Sequence, residues 1–560
     1  MDPEEEEKGR FAGWRRDRLV IISALIIAVA VFFFATILVI APLQGGTIPS
    51  NTLLSSTLTN VSPEFGQELP LQDVGFGPSG RSIFIAFVME THMLFANLQI
   101  GGSIIIVATL LLYMRMRRER YLNLARSMTL FNLILFSTGA TFAGAGMFFF
   151  VSLFPTFASH AFHVYWWPLL AESVLFGVEI FVLYTFWFAW DRVSGRVHLA
   201  LGFAYILDVF FQGLSINMLA AGMLTPGVST LTYTDGGILT VPWSEALQLW
   251  FNPTLWDLQF HRIGAALGMV GFMVAALGVL HYRDRPGLED RKQWDWVAAY
   301  GLAWGVLGLA AQAFLGYLYM FQIMTSVPAA FEQMMHGARA WEMLAMVTLY
   351  AALALSVIIY FITRRDRLVS RRMTRRLQWV FRVFLVVAVI FAFILVQPSW
   401  IGAASRFDPS AWVNPIGLMR YKYGALFGLA AIAGILMIID AVVLTREEKE
   451  GEWGFLTKGS WAAGLFAGIC GTAIVNVMGF VREAGRAPWT MWEIIPVSHN
   501  TPTPIPPLQI LGVWIVSLAV SWLILWTVSK VTAYHPEAKE QVQVEQHIQE
   551  QGSPLEQGKA

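Results

Sequence analysis

The chain has 560 residues, no formal net charge, 56% hydrophobic residues and a mean hydropathy of +0.57, which excludes a soluble globular domain. Its charges are divided among loops, so no nucleic-acid partner is indicated. The single cysteine, Cys470, excludes a disulfide framework and a Cys-rich metal site, and without a C-x-x-C-H there is no attached c-type haem.

Apolar runs recur at the length of about twenty residues that a hydrocarbon core requires of a spanning helix. They predict an all-α, polytopic membrane helix bundle with twelve spans, near 18–41, 83–112, 127–154, 165–190, 197–222, 256–282, 293–321, 338–363, 377–397, 420–445, 460–481 and 509–532. No small-residue cleavage site follows the first, which reads as an anchor rather than a secretory signal. Loops at 15–18, 114–120, 191–196, 281–292, 364–376 and 446–458 carry the Lys and Arg residues, whereas 42–80, 223–255 and 322–338 carry none. By the positive-inside rule both termini are expected in the cytoplasm. The tail after residue 533, rich in Gln and Glu, has too few apolar residues to fold alone and is expected to be disordered. The chain thus divides into 1–80 (anchor and outer loop), 81–350, 351–455, 456–532 and the tail 533–560.

Titratable groups inside apolar spans are costly and mark function by default. Two histidines lie well inside spans, His92 in FVMETHMLFANLQIGG and His261 in FNPTLWDLQFHRIGAALG. Imidazole in an apolar bundle suits a haem iron, with methionine as a common partner; a hydrogen bond to a neighbouring helix is the plainer reading of either. The fourth span carries Glu172 and Glu179, seven residues apart and so on one helix face. Burial disfavours the charged form of a carboxylate, so this pair suits proton uptake and release, or else helix packing. Asp208, Gln212 and Asn217 on the next helix extend a polar track or bond between helices. With this topology His92, Glu172, His261, Glu332, Met346 and Glu483 share the outer level of the membrane, which suggests one site. The stretch FVREAGRAPW, 480–489, ends an apolar span on Glu483 between Arg482 and Arg486, with Gly485 and Pro488 expected to turn the chain.

These residues resemble subunit I of the cytochrome bd oxygen reductases. The family's Glu-x-Gly-Arg-Gln-Pro-Trp is similar to EAGRAPW, Glu483 to Trp489, with Ala487 in place of glutamine. Its Leu-Glu-x-x-Phe-x-Gly…Gly-Trp-Asp-Arg helix resembles VEIFVLYTFWFAWDR, and its Asn-Pro…Phe-x-His helix resembles FNPTLWDLQFHRIGAALG. The first family helix resembles RSIFIAFVMETHMLFANLQIGG. The likeness covers about 80–350 and 460–530, and 365–455 has no counterpart.

The resemblance implies roles for single residues. His92 would be the axial ligand of the oxygen-binding haem, and Glu483 the ligand of a neighbouring high-spin haem b, with Arg486 at a propionate or as a charge partner. His261 would ligate the low-spin haem b, with its sulfur ligand at Met346; Met343 and Met419 stand as alternatives. Glu179 would serve the proton pathway. Glu172 lies one position from the family's other carboxylate, at the distal face of the oxygen site. The implied cofactors are a low-spin haem b, a high-spin haem b, and haem d or a third haem b.

The quinol-associated region departs from the family. Lys-Leu-Ala-Ala-x-Glu reads VPAAFE, which keeps Glu332 but places Val327 where lysine is usual. The Gly-Asp before it reads Gly316–Tyr317, and AAGMLTPG has Ala220 where the family has asparagine. The expected function is therefore that of a bd-type terminal oxygen reductase subunit in a prokaryotic plasma membrane. It would carry electrons from quinol or another donor through haems to dioxygen, beside a smaller subunit II-like partner, with protons taken from the cytoplasm. The alternatives are a haem electron-transfer subunit without oxygen chemistry and an ion-coupled secondary transporter using Glu172, Glu179 and Asp208.

Overall fold

The computed structural model describes residues 74–225, 232–233, 237–241, 251–285, 287–336, 339–364, 371–396, 418–450, 456–498 and 501–533. The first predicted span and the C-terminal tail lie outside the described residues. The chain is a bundle of helices: α1 (Gly80–Met116), α2 (Glu119–Leu153), α3 (Pro155–Val164), α4 (Trp166–Phe188), α5 (Gly195–Leu224), α6 (Leu255–Asp284), α7 (Leu288–Ser326), α8 (Pro328–His336), α9 (Ala340–Arg364), α10 (Arg371–Val396), α11 (Leu418–Glu450), α12 (Lys458–Arg486) and α13 (Pro507–Thr532). Two small antiparallel hairpins interrupt it, β1 (Thr232–Tyr233) with β2 (Leu239–Thr240), and β3 (Trp489–Met491) with β4 (Ile495–Pro496).

Eleven of these helices are long and apolar enough to cross a membrane. They correspond to the second through twelfth predicted spans, and most extend beyond the predicted ends. Helix α7, predicted over 293–321, begins at Leu288 with Glu289 and Asp290 in its first turn, where carboxylates favour the positive end of the helix dipole. Hydropathy measures the apolar length, whereas the hydrogen-bonded helix continues into polar residues on either side. The region read as a short connection near 322–337 is mostly the added helix α8.

Close helix packing follows from small residues, because in hydrocarbon the attraction between helices comes from backbone approach rather than from expelling water. The tightest pair is α6 against α7, where Gly268 and Gly271 face Gly308 and Gly305. A Cβ on Gly268 would lie 3.4 Å from the backbone of Gly308, and one on Gly271 would clash with α7 backbone. A large core joins α6, α7, α9 and α12 through Phe272, Ala298, Val357 and Ala467. Helices α10 and α11 belong to it as well, through Ala388, Ala392, Leu429 and Ala433. These two helices, for which the resemblance offered no counterpart, are therefore built into the bundle.

The end of α12 corrects one expectation. Helix continues through Glu483 and Gly485 to Arg486, and the chain leaves it only at Ala487, before the cis Ala487–Pro488 peptide and β3. Pro488 sits at the exit as expected, but Gly485 is helix interior. What requires glycine there is α8: a Cβ at 485 would sit 2.7 Å from Met334 Cγ.

Candidate functional site

Two adjoining cavities collect four of the predicted residues, His261, Met346, Glu483 and Arg486. The first encloses about 940 Å³ of empty volume and is lined by His261 of α6, Gln312 of α7, Met343 and Met346 of α9, Lys422 and Tyr423 of α11, and Arg482 and Arg486 of α12. The second, about 1250 Å³, is lined by Met89 of α1, Met147 of α2, Met223 of α5, Arg339, Glu483 and Arg486. Arg486 faces both, its Nη1 donating to the Thr490 carbonyl at 3.1 Å.

His261 is 8% exposed. Its Nε2 lies 2.5 Å from the Gln312 amide, while its Nδ1 is buried without a partner. Tyr319 stacks obliquely beside the ring at 5.4 Å, and Gly316 leaves the imidazole room, since a Cβ there would lie 3.4 Å from Nε2. The neighbouring Arg262 fastens three helices together, donating to Asn217 Oδ1 at 2.8 Å and to Asn97 Oδ1 at 3.3 Å. Sequence reasoning passed over Arg262, although a charge beside a mid-span histidine was signal enough.

His92 lines neither cavity. It lies one turn beyond Met89 on α1, and its Nδ1 donates to the Gly139 carbonyl at 3.0 Å. A carbonyl can only accept, so the neutral ring keeps its free electron pair on Nε2, the tautomer suited to an axial ligand.

Glu483 accepts from Arg339 Nη2 at 3.1 Å through Oε2. Arg339 also donates from Nε to Glu342 Oε1 at 2.7 Å, and the Glu342 side chain is fully buried. Burial opposes charge on Arg339, but Glu483 and Glu342 outweigh it and raise its pKa. This Arg339 bridge from α9 to the end of α12 was missed in the sequence. The i, i+3 spacing of Arg339 and Glu342 was its only signal and resembles ordinary helix-end pairing. Removing one partner of a buried pair strands the other charge. Arg339→Gln is therefore expected to cost about 3 kcal/mol, read as a lower midpoint in a thermal melt of the purified protein. An unchanged melt would mean that Glu342 has found another donor.

The carboxylates of α4 sit apart from both cavities. Gln212 Nε2 bridges Glu179 Oε2 at 2.8 Å and Asp208 Oδ2 at 3.1 Å. Glu179 Oε1, Asp208 Oδ1 and Glu172 Oε2 are buried without partners. The anticipated polar track is split: Asp208 and Gln212 join Glu179, whereas Asn217 joins Arg262. Glu332 is exposed on α8 and lines neither cavity. Met419 lies in α11, with its side chain outside the described residues.

The donor set fits haem. The first cavity brings an imidazole with an unpaired buried nitrogen together with five methionines, Met343 and Met346 of α9 among them. Arg486 adds a buried Nε without a partner. In the second, Glu483 accepts from Arg339 through Oε2, and Arg339 and Arg486 supply cations for acidic substituents.

The family model described as cytochrome bd terminal oxidase subunit I matches residues 81–345. No curated protein matches the sequence. Among solved structures, a bd oxidase from Geobacillus thermodenitrificans aligns at 15% identity over 82% of this chain and 98% of that one, with a TM-score of 0.47. The matched segment runs from α1 into α9 and contains His92, Glu172, Glu179, His261 and Arg339. Over residues 81–345 the chain is similar to cytochrome bd terminal oxidase subunit I.

Proposed function

We propose that the chain is the haem-bearing subunit of a bd-type terminal oxidase that reduces dioxygen to water. The observation that carries this reading is the first cavity, where His261 and Met346 on separate helices line one space that also holds cations. His261 and Met346 would hold a low-spin haem b. Glu483 would hold a high-spin haem b and His92 a haem d or third haem b. When bound, these haems supply one-electron transfer and an open iron position for dioxygen.

The protein's own residues have separable tasks. Gln312 fixes the plane of His261, and Gly139 fixes the tautomer of His92. Arg339, itself anchored by Glu342, pairs with Glu483 at the end of α12, while Arg486 offers charge to both cavities. Glu179, Asp208 and Gln212 form a proton-holding group that accepts protons from the cytoplasmic side. That assignment of sides rests on the positive-inside pattern, with both termini in the cytoplasm of a prokaryotic cell. The electron donor is quinol or another carrier; Val327 and the exposed Glu332 leave the quinol motif incomplete. A smaller membrane subunit would cover part of α4, of whose most apolar window only 17% is buried.

The test is a dithionite-reduced minus oxidised spectrum of the purified protein, repeated under carbon monoxide. A haem signal with a carbon-monoxide-sensitive component is expected, and its band position distinguishes haem d from haem b. Haem without that response would reduce the role to electron transfer. A folded, fully assembled protein without haem would overturn the oxidase reading.

A further inference from the structure

Resting on that reading, we propose that α11, which lies outside the family match, supplies a carboxylate-recognising cation, Lys422, to the His261 cavity, held in register by Tyr423. For a haem occupant the recognised group is a propionate.

Three observations carry the assignment. First, among the described residues the cavity is lined by Lys422, Arg482 and Arg486 but by no aspartate or glutamate. Cations facing apolar surroundings are costly unless paired, so this lining favours an occupant that carries an anion. Second, Lys422 does not reach for solvent as a lysine near a helix end commonly does. Its Nζ turns inward and donates to the Leu395 carbonyl of α10 at 2.8 Å, and among the described residues no carboxylate pairs with it. That single bond leaves two of the three ammonium donors for a ligand. Third, Tyr423 donates to the Gly316 carbonyl at 3.3 Å and packs edge-on to Tyr317 at 5.1 Å. Gly316 is the residue that gives His261 its room. Through it, α11 is registered against the imidazole, and Lys422 is placed along the same wall.

The plainer role is that Lys422 only caps α10, whose last carbonyls lack helix partners. The two roles separate in a redox titration. A nearby positive charge stabilises the reduced, less positive haem. Lys422→Met is therefore expected to shift the midpoint potential of the low-spin haem downward and lower its haem-to-protein ratio, with Lys422→Arg restoring both. If Lys422→Met does not accumulate, Lys422→Gln is read in its place. An unchanged potential and haem content, even with a lower melting midpoint, would overturn the Lys422 assignment and leave the oxidase reading intact. A wild-type chain without low-spin haem would overturn both.

Discussion

His261→Ala is expected to abolish the low-spin haem signal while the carbon-monoxide-sensitive component persists. The separation follows from the geometry. His261 faces only the first cavity, whereas Glu483 faces the second and His92 is anchored on α1 by Gly139. An imidazole is the strong-field ligand of this site, and without it a thioether alone would leave the iron high-spin or the haem unbound. The fold should survive, because the variant removes a side chain next to an existing space and strands only the Gln312 amide, at roughly 1–3 kcal/mol. Reduced-minus-oxidised spectra of the variant check this, and an intact low-spin band would rule out His261 as the ligand. The same spectra with Met346→Ala and Met343→Ala decide the sulfur. Both line the cavity, but only loss of the true ligand should remove the low-spin band.

Hydropathy made the bundle legible, because about twenty apolar residues in succession have few other uses. It did not reveal α8 or the β3–β4 hairpin, which are short and owe their order to the helix ends around them. The residues of the site were legible one at a time where a titratable group interrupted an apolar run, as at His92, Glu179 and His261. Their grouping was less so. A single outer level was expected to collect six residues. The structure instead sorts His261 and Met346 into one cavity and Glu483 into the next, with Glu332 outside. Depth along a helix can be counted in sequence, but the direction a side chain faces depends on helix rotation, which α6–α7 glycine packing sets. Arg339 and Lys422 were missed for a related reason. Near a span end each looks like a solvated charge, and only the neighbouring helices show that both face a cavity.

The largest loss of stability is expected from Arg364→Met. Arg364 and Asp295 have side chains 0% and 1% exposed, and Arg364 Nη2 donates to Asp295 Oδ2 at 2.7 Å. Arg364 also pairs with Asp440 of α11 and lies over the Tyr360 ring at 5.7 Å. It is thus the shared partner of two carboxylates, one on α7 inside the family match and one on α11 outside it. Removing it takes the guanidinium away from the buried Asp295, a change worth roughly 3–5 kcal/mol for a buried pair, and releases α11 from α9 at Asp440. Asp440→Asn should cost much less, since Asp440 is partly exposed and Arg364 would keep Asp295. A converse experiment separates charge from packing. Replacing Arg364, Asp295 and Asp440 together by Met, Leu and Leu removes every stranded charge and is expected to recover most of the loss. Thermal melts of the purified variants check all three. A triple variant as unstable as Arg364→Met would show that the ion cluster itself, rather than the avoidance of an unpaired carboxylate, joins α11 to the bundle.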